Sequence, residues 1–290
     1  MMNLVFGMIC NEKDVKMNDL YDIVEQADAV VILAGAGMGV DSGLPDFRGA
    51  EGLWKEYPEL MNRDLDFEEM ANPKWFREDA SLAWAFYGHR LHKYLDFKPH
   101  AGFDMLLELC KQKSDNYFVI TSNVDNHFQK AGFDPLRIHE VHGSLLYFQC
   151  IYGCKRDIWS ANYDSIEIDQ HSFVATSTPH CPHCGRLARP NVMMFDDYGW
   201  LCEREREQRK RFECWQQQIW DSKDKVLIIE IGAGKVIATI RSIAEYLYLQ
   251  GFYGSSFVRI NPRDCDVPDG AIGIQSGGLD GITTLLKNIK

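Results

Sequence analysis

Four cysteines stand in two close pairs, Cys150 with Cys154 and Cys181 with Cys184. Four thiolates suit a tetrahedral zinc ion with sulfur at about 2.3 Å, and a closed set of four leaves no position for water. The role this implies is structural. Gly185 follows the second pair, which has the form of a zinc turn; the first pair is spaced one residue wider. His180 or His183 in place of Cys154 is a variant of the same site, and buried or disulfide-bonded cysteines are the alternative. A second group of residues points to phosphate. The apolar run Ala29–Ala34 opens into Gly35-Ala36-Gly37-Met38-Gly39. A strand feeding a glycine-rich turn lets backbone N–H groups approach a pyrophosphate. The continuation Gly43-Leu44-Pro45-Asp46-Phe47-Arg48-Gly49 puts an acid, an aromatic and an arginine on a loop beside that turn. Such a loop can close over a dinucleotide.

These residues need elements to hold them. Apolar runs at Ala29–Ala34, Tyr117–Thr121, Arg137–Val141, Val226–Ile231 and Phe257–Ile260 read as strands. Asp19–Gln26, Ala101–Cys110, Ile237–Leu249 and Leu279–Ile289 read as helices between or beyond them. Short strands alternating with helices predict an α/β fold: a parallel sheet with helices on both faces. Ligands in such sheets sit at carboxyl strand ends. The turns at Gly35, at Thr121–Asp125 and at Gly232-Ala233-Gly234 should therefore collect at one edge. The Trp-, Phe- and Met-rich stretch over 50–99 predicts a helical insertion whose aromatics form core. The alternating charges of Glu203–Arg211 predict an exposed helical face.

Bulk properties exclude several classes. With 290 residues the chain has room for a large domain and a smaller one. A net charge of −11 argues against nucleic acid as a direct ligand. No apolar run approaches the roughly 18 residues of a membrane span. Met1–Cys10 is apolar without a basic start, so no signal peptide is expected. Paired cysteines suggest metal, and the scattered Cys10, Cys110, Cys202, Cys214 and Cys265 suggest buried thiols. Both fit a reducing, cytoplasmic setting.

Taken in order, Gly35–Gly49, Thr121-Ser122-Asn123-Val124-Asp125, Val141-His142-Gly143-Ser144, the cysteine pairs and Arg189-Pro190-Asn191-Val192-Met193-Met194-Phe195 resemble the sirtuins, the NAD-dependent protein deacylases. The resemblance runs over about residues 20 to 285. It implies a Rossmann-like NAD-binding domain over 20–49, 100–145 and 189–290, the helical insertion over 50–99 and a zinc-binding module over 146–188. It implies NAD as co-substrate, structural zinc, and an acyl-lysine protein or peptide as partner. The products would be free lysine, nicotinamide and O-acyl-ADP-ribose. His142 matches the general base, a role suited to an imidazole with an ordinary pKa of about 6.5. Asn123 and Asp125 match nicotinamide-pocket positions, where a carboxamide needs a donor and an acceptor; helix capping is the plainer role for both. Gly35, Ala36, Gly37, Asp46, Phe47, Arg48, Ser122, Gly232, Ala233, Gly234 and Asn261 complete the expected cofactor-binding set.

The chain also departs from the family. Ser122 stands where a glutamine is usual, Gly39 where a serine is usual, and Gly232-Ala233-Gly234 where Gly-Thr-Ser is usual. Val192–Asp197 matches the strand that pairs with substrate backbone, with Val192 and Phe195 as substrate-binding residues. Asp196 replaces a common glycine there. Tyr87 and Arg90 have the Tyr-x-x-Arg spacing that one sirtuin branch uses for the carboxylate of succinyl- or malonyl-lysine, and i and i+3 share a helix face. Their plain reading is a core tyrosine and a solvated arginine. Two further functions stay open: an NAD hydrolase or ADP-ribosyltransferase on the same scaffold, and a non-enzymatic nucleotide-binding sensor.

Overall fold

The computed structural model describes residues 8–9, 17–44, 55–61, 63, 65–169 and 171–287. Asp46, Phe47 and Arg48 lie outside the described residues. The main sheet has the parallel strands β2 (Ala29–Ala34), β3 (Tyr117–Thr121), β4 (Ile138–Glu140), β10 (Val226–Ile231), β11 (Ser256–Ile260) and β12 (Ile272–Gln275) in the order β12-β11-β10-β2-β3-β4. A short edge strand, β1 (Met8–Ile9), runs antiparallel to β12. The chain lays down β2, β3 and β4 outward on one side, then β10, β11 and β12 outward on the other. Strand order thus reverses between β2 and β10, the point where such sheets open a crevice for ligands.

Helices cover both faces because the strands are apolar on both. Every residue of β2 is fully buried. Val30, Ile32 and Ala34 pack with Phe103, Leu106 and Ile282 on one side. Ala29, Val31 and Leu33 pack with Phe212, Trp215 and Ile240 on the other. The period of two is the strand's own.

A second sheet orders β6 (Ile158–Ser160), β5 (Gly143–Cys150) and β9 (Ala188–Val192), antiparallel throughout. A hairpin of β7 (Glu167–Asp169) and β8 (Val174–Ser177) completes the strands. Helix Ala80–Asp96 packs Trp84, Phe86 and Tyr87 into a shared core with Leu145, Phe148 and Ala188. Lys130 joins this helix to the main sheet. Its ammonium donates to the carbonyls of Tyr94, Leu95 and Phe97 at 2.6, 2.8 and 3.1 Å, satisfying acceptors that a helix end leaves open.

Some expectations change. The helix expected over Ile237–Leu249 is α-helical over Thr239–Tyr246 and continues as a π-helix over Leu247–Gly251. Glu203–Arg211 opens a longer helix, Glu203–Ser222, and is not simply an exposed face. Its Glu205 bonds His139 at 2.8 Å, and its Arg204 and Gln208 both donate to buried Glu140. Cys110 is a buried thiol, but Cys214 is exposed and Cys265 is disulfide-bonded.

One ion pair crosses the sheet interior. Glu230 on β10 and Arg259 on β11 are register partners, and both side chains are wholly buried. Arg259 donates Nε and Nη2 to the two Glu230 oxygens at 2.7 and 2.8 Å, and Nη2 also reaches Glu245 at 2.8 Å. Burial pushes the Glu230 carboxyl upward in pKa while Arg259 draws it back. Arg259→Met strands that carboxylate and should cost about 3–5 kcal/mol. Adding Glu230→Met should recover most of the loss, as urea unfolding of the three variants will report.

Candidate functional site

Two turns meet where the strand order reverses. β2 and β10 are neighbours, and each ends in a glycine turn. The Gly37 N–H donates to the Gly232 carbonyl at 3.0 Å, and the Gly35 N–H to the Ile231 carbonyl at 2.9 Å. A Cβ on Gly35 would stand 2.7 Å from the Ala233 Cα and the Gly232 carbonyl oxygen. A Cβ on Gly232, whose φ is +65°, would stand 2.5 Å from the Gly37 backbone. Only glycine fits either position. Among the described residues the N–H groups of Ala36, Ala233 and Gly234 find no partner. Unpaired amides beside a helix start form an anion cradle. Asn261 braces this edge. Its buried amide donates to the Ala233 carbonyl at 2.6 Å and accepts from the N–H groups of Arg263 and Asp264.

β3 adds the next residues. Thr121 bonds the Ala34 carbonyl, and the Asn123 amide donates to the Gly35 carbonyl at 3.0 Å. Ser122 donates its own N–H to the Ala34 carbonyl. Asp125 is buried, and its Oδ1 accepts the His127 N–H at 3.0 Å, the capping role open to such a residue. A Cβ on Gly39 would lie 3.7 Å from its other oxygen, so the carboxylate borders the glycine turn. Burial raises the Asp125 carboxyl above its ordinary pKa, with partial relief from His127.

Two histidines in this wall were not legible in the sequence. His100 donates Nε2–H to the Met38 carbonyl and accepts the Gly102 N–H on Nδ1, which caps helix Ala101–Gln112 against the glycine turn. His127 is fully buried and edge-on to Phe103, with neither ring nitrogen bonded, and burial lowers its pKa.

His142 is half-buried between β4 and β5. Burial holds it below the ordinary imidazole pKa. Its carbonyl accepts from the Met193 N–H at 3.0 Å, which joins it to the segment after β9. That segment is tightly stapled. Arg189 and Asp197 form a buried ion pair, and Asp197 also accepts from the N–H groups of Met194 and Gly199. Asn191 donates to Gln149 and to the Leu201 carbonyl. Val192 is buried, Phe195 half-buried. Asp196 has φ +54°, a left-handed conformation that accounts for the usefulness of glycine there.

Tyr87 and Arg90 both lie inside the helical core. Tyr87 is 1% exposed and stacks on Phe76, and burial raises its pKa. Arg90 is 8% exposed, so it is no solvated surface arginine. Its Nη2 donates to the Tyr94 hydroxyl at 2.9 Å.

The four paired cysteines form one cluster. Cys150 Sγ lies 3.7 Å from Cys184 Sγ, and Cys154 Sγ lies 3.6 Å from Cys181 Sγ. All four sulfurs fall within 4.8 Å of one another. A tetrahedron with legs of about 2.3 Å has an edge of about 3.8 Å, whereas a disulfide needs about 2.05 Å. The donor set therefore fits zinc. His183 instead bonds Asp157 at 2.8 Å, and His180 bridges Leu187 across the loop.

A family model described as Sir2 family matches residues 35–213. The chain belongs to the Sir2 family. An NAD-dependent protein deacylase of Pyrococcus furiosus is 32% identical over 181 residues, covering 62% of this chain and 66% of that protein. One of Thermus thermophilus is 28% identical over 267 residues, covering 91% of each. In structure, a Sir2 homologue solved with NAD aligns with TM-score 0.71 at 23% identity, over 98% of this chain and 95% of that one. A Sir2 homologue solved with ADP-ribose aligns with TM-score 0.69 at 24% identity, over 94% and 96%. These two likenesses are of fold.

In this Sir2-family chain, Cys184→Ala should release the metal. Elemental analysis should find about one zinc per wild-type chain and little in the variant, with a lower melting temperature. Gly232→Ala should destabilise by at least about 1–3 kcal/mol. Asp196→Gly should be neutral or stabilise by up to about 1 kcal/mol, as chemical denaturation will report.

Proposed function

We propose that the chain is an NAD-dependent protein-lysine deacylase that releases nicotinamide and O-acyl-ADP-ribose. The observation that carries this reading is the convergence at one sheet edge. The two glycine turns, Asn123 and Asp125 gather there, and His142 is bonded through its backbone to the segment that would hold a peptide. NAD supplies a glycosidic bond whose leaving group, nicotinamide, departs uncharged. The residues then bind, orient and move a proton.

The amides of Ala36, Ala233 and Gly234 suit the phosphates, with Gly35, Gly37 and Gly232 permitting the approach. Asn261 keeps its turn in shape. Asp46, Phe47 and Arg48 belong to the covering loop in this reading, and Ser122 borders the ribose. Asn123 and Asp125 offer a donor and an acceptor to a carboxamide. His142 accepts a proton from a ribose hydroxyl. Its depressed pKa keeps it uncharged, and so able to do this, at neutral pH. Val192 and Phe195 line the peptide, which adds as a strand. Tyr87 and Arg90 receive an acyl carboxylate. A charge-assisted bond of about 1.5–3 kcal/mol would favour succinyl over acetyl by roughly 10- to 100-fold. The division into a nucleotide domain over 20–49, 100–145 and 189–290, a helical insertion and a zinc module belongs to the same reading, as does a cytoplasmic setting. Among the described residues no helix is long and apolar enough to cross a membrane.

Mass spectrometry of NAD with equal acetyl- and succinyl-lysine peptides tests the proposal. Peptide-dependent O-acyl-ADP-ribose is expected. Free ADP-ribose at one rate with and without peptide would instead establish an NAD hydrolase, the reading favoured by Ser122, Ala233 and Asp196. His142→Ala should lower product formation by at least about 100-fold. For the wild type, the rate should fall only as pH drops through the depressed His142 value, placing the acid limb below about 6.5.

A further inference from the structure

We propose that Phe67 is a specificity-determining residue for the acyl group, closing the path between the peptide-pairing segment at Phe195 and the buried guanidinium of Arg90. This rests on the deacylase reading. Phe67 is half-buried, and its ring has neighbours on two sides. It stands edge-on to Phe195 with ring centroids 6.3 Å apart. On its other side it meets Phe86 at 6.5 Å, and the Arg90 Cζ lies over its face at 5.7 Å. Arg90 is further enclosed by Phe86 and Tyr94, at 5.2 and 5.6 Å. A short acyl group can end before this ring. An acyl group carrying a carboxylate must move it to reach the cation.

The short helix that carries the ring is held at both ends. Helix Phe67–Met70 has a reciprocal cap in which Glu69 N–H donates to Asp66 and Asp66 N–H to Glu69, at 2.8 and 3.3 Å. Trp75 Nε1 donates to the Glu69 carbonyl at 2.8 Å. The Ala71 carbonyl, one residue past the helix, accepts the Phe195 N–H at 2.9 Å. This last bond couples two events. The N–H groups of Met193, Met194 and Phe195 are taken by His142, Asp197 and Ala71 in turn. A peptide strand seeking the Phe195 donor therefore displaces the Ala71 carbonyl. Ala71 N–H is bonded to the Phe67 carbonyl at 2.8 Å, so the displaced segment draws Phe67 with it. Peptide pairing and opening of the route to Arg90 are then a single movement.

The test compares wild type, Phe67→Ala, Phe67→Leu and Phe67→Ala combined with Arg90→Met. Each is assayed for kcat/KM on acetyl- and succinyl-lysine peptides of one sequence, and for affinity to both peptides without NAD by fluorescence anisotropy. Phe67→Ala should raise the succinyl-to-acetyl ratio by at least about tenfold, the scale of one charge-assisted bond. Phe67→Leu should raise it less, and the double variant, which lacks the Arg90 bond, should fall below the wild-type value. Thermal unfolding checks folding, and Phe67→Leu carries the comparison if Phe67→Ala does not fold. Equal change for both peptides, or a gain that survives loss of Arg90, overturns the proposal. A wild type that turns over neither peptide defeats the deacylase reading, while anisotropy still decides the role of Phe67.

Discussion

Gly35 and Gly232 bring the backbones of two neighbouring strand ends closer together than any side chain permits. This contact is a constraint on both turns at once. Each turn's shape is fixed by the other, so the amides of Ala36, Ala233 and Gly234 are held in place without needing a ligand to order them. The sheet supplies the rigidity behind this. Six fully buried residues of β2 are gripped from both faces, and β10 runs in register beside them. Asn123 and Asn261 then attach to the turns from either side, one through the Gly35 carbonyl and one through the Ala233 carbonyl.

The rest of the molecule brings other parts to that edge. Lys130 fastens the end of helix Ala80–Asp96 five residues beyond Asp125, so the helical insertion is tied to the strand end that carries the carboxylate. Glu140, two residues before His142, gathers Arg204, Gln208 and Gln129 around one buried carboxylate and fixes the end of β4. The segment after β9 is held by Gln149, Asn191 and the Arg189–Asp197 pair. The zinc cluster closes the far end of β5, whose other end begins beside His142. One eight-residue strand thus spans from the metal to the candidate base.

β2 and β3 were readable because each is an unbroken apolar run ending in glycine or polar residues, and β10 because only Glu230 interrupts its run. Tyr117–Thr121 and Val226–Ile231 have the observed bounds. β12 escaped notice because it is four residues long with Gly273 inside it. The cysteine pairs were readable because four thiolates near one another have few uses. What could not be read is pairing between distant polar side chains. Glu230 with Arg259, Arg189 with Asp197, and Glu140 with Gln208 have no local pattern, since only the fold places them together. Arg204 and Glu205 lay in a charge-alternating stretch that suggested solvent, yet both turn inward to β4. His127 gave no signal because a buried histidine at helical spacing looks like any other residue there.

The meeting of the two glycine turns also shapes how the gene can vary. Every missense change in a glycine codon adds a Cβ, and at Gly35 or Gly232 that atom lands on backbone. Relieving it means parting β2 from β10. A core position such as Val31 is more forgiving, because a change of shape there can be shared among flexible neighbours. Mutational fragility is therefore concentrated in two small buried residues at the carboxyl edge of the sheet rather than in its large central ones.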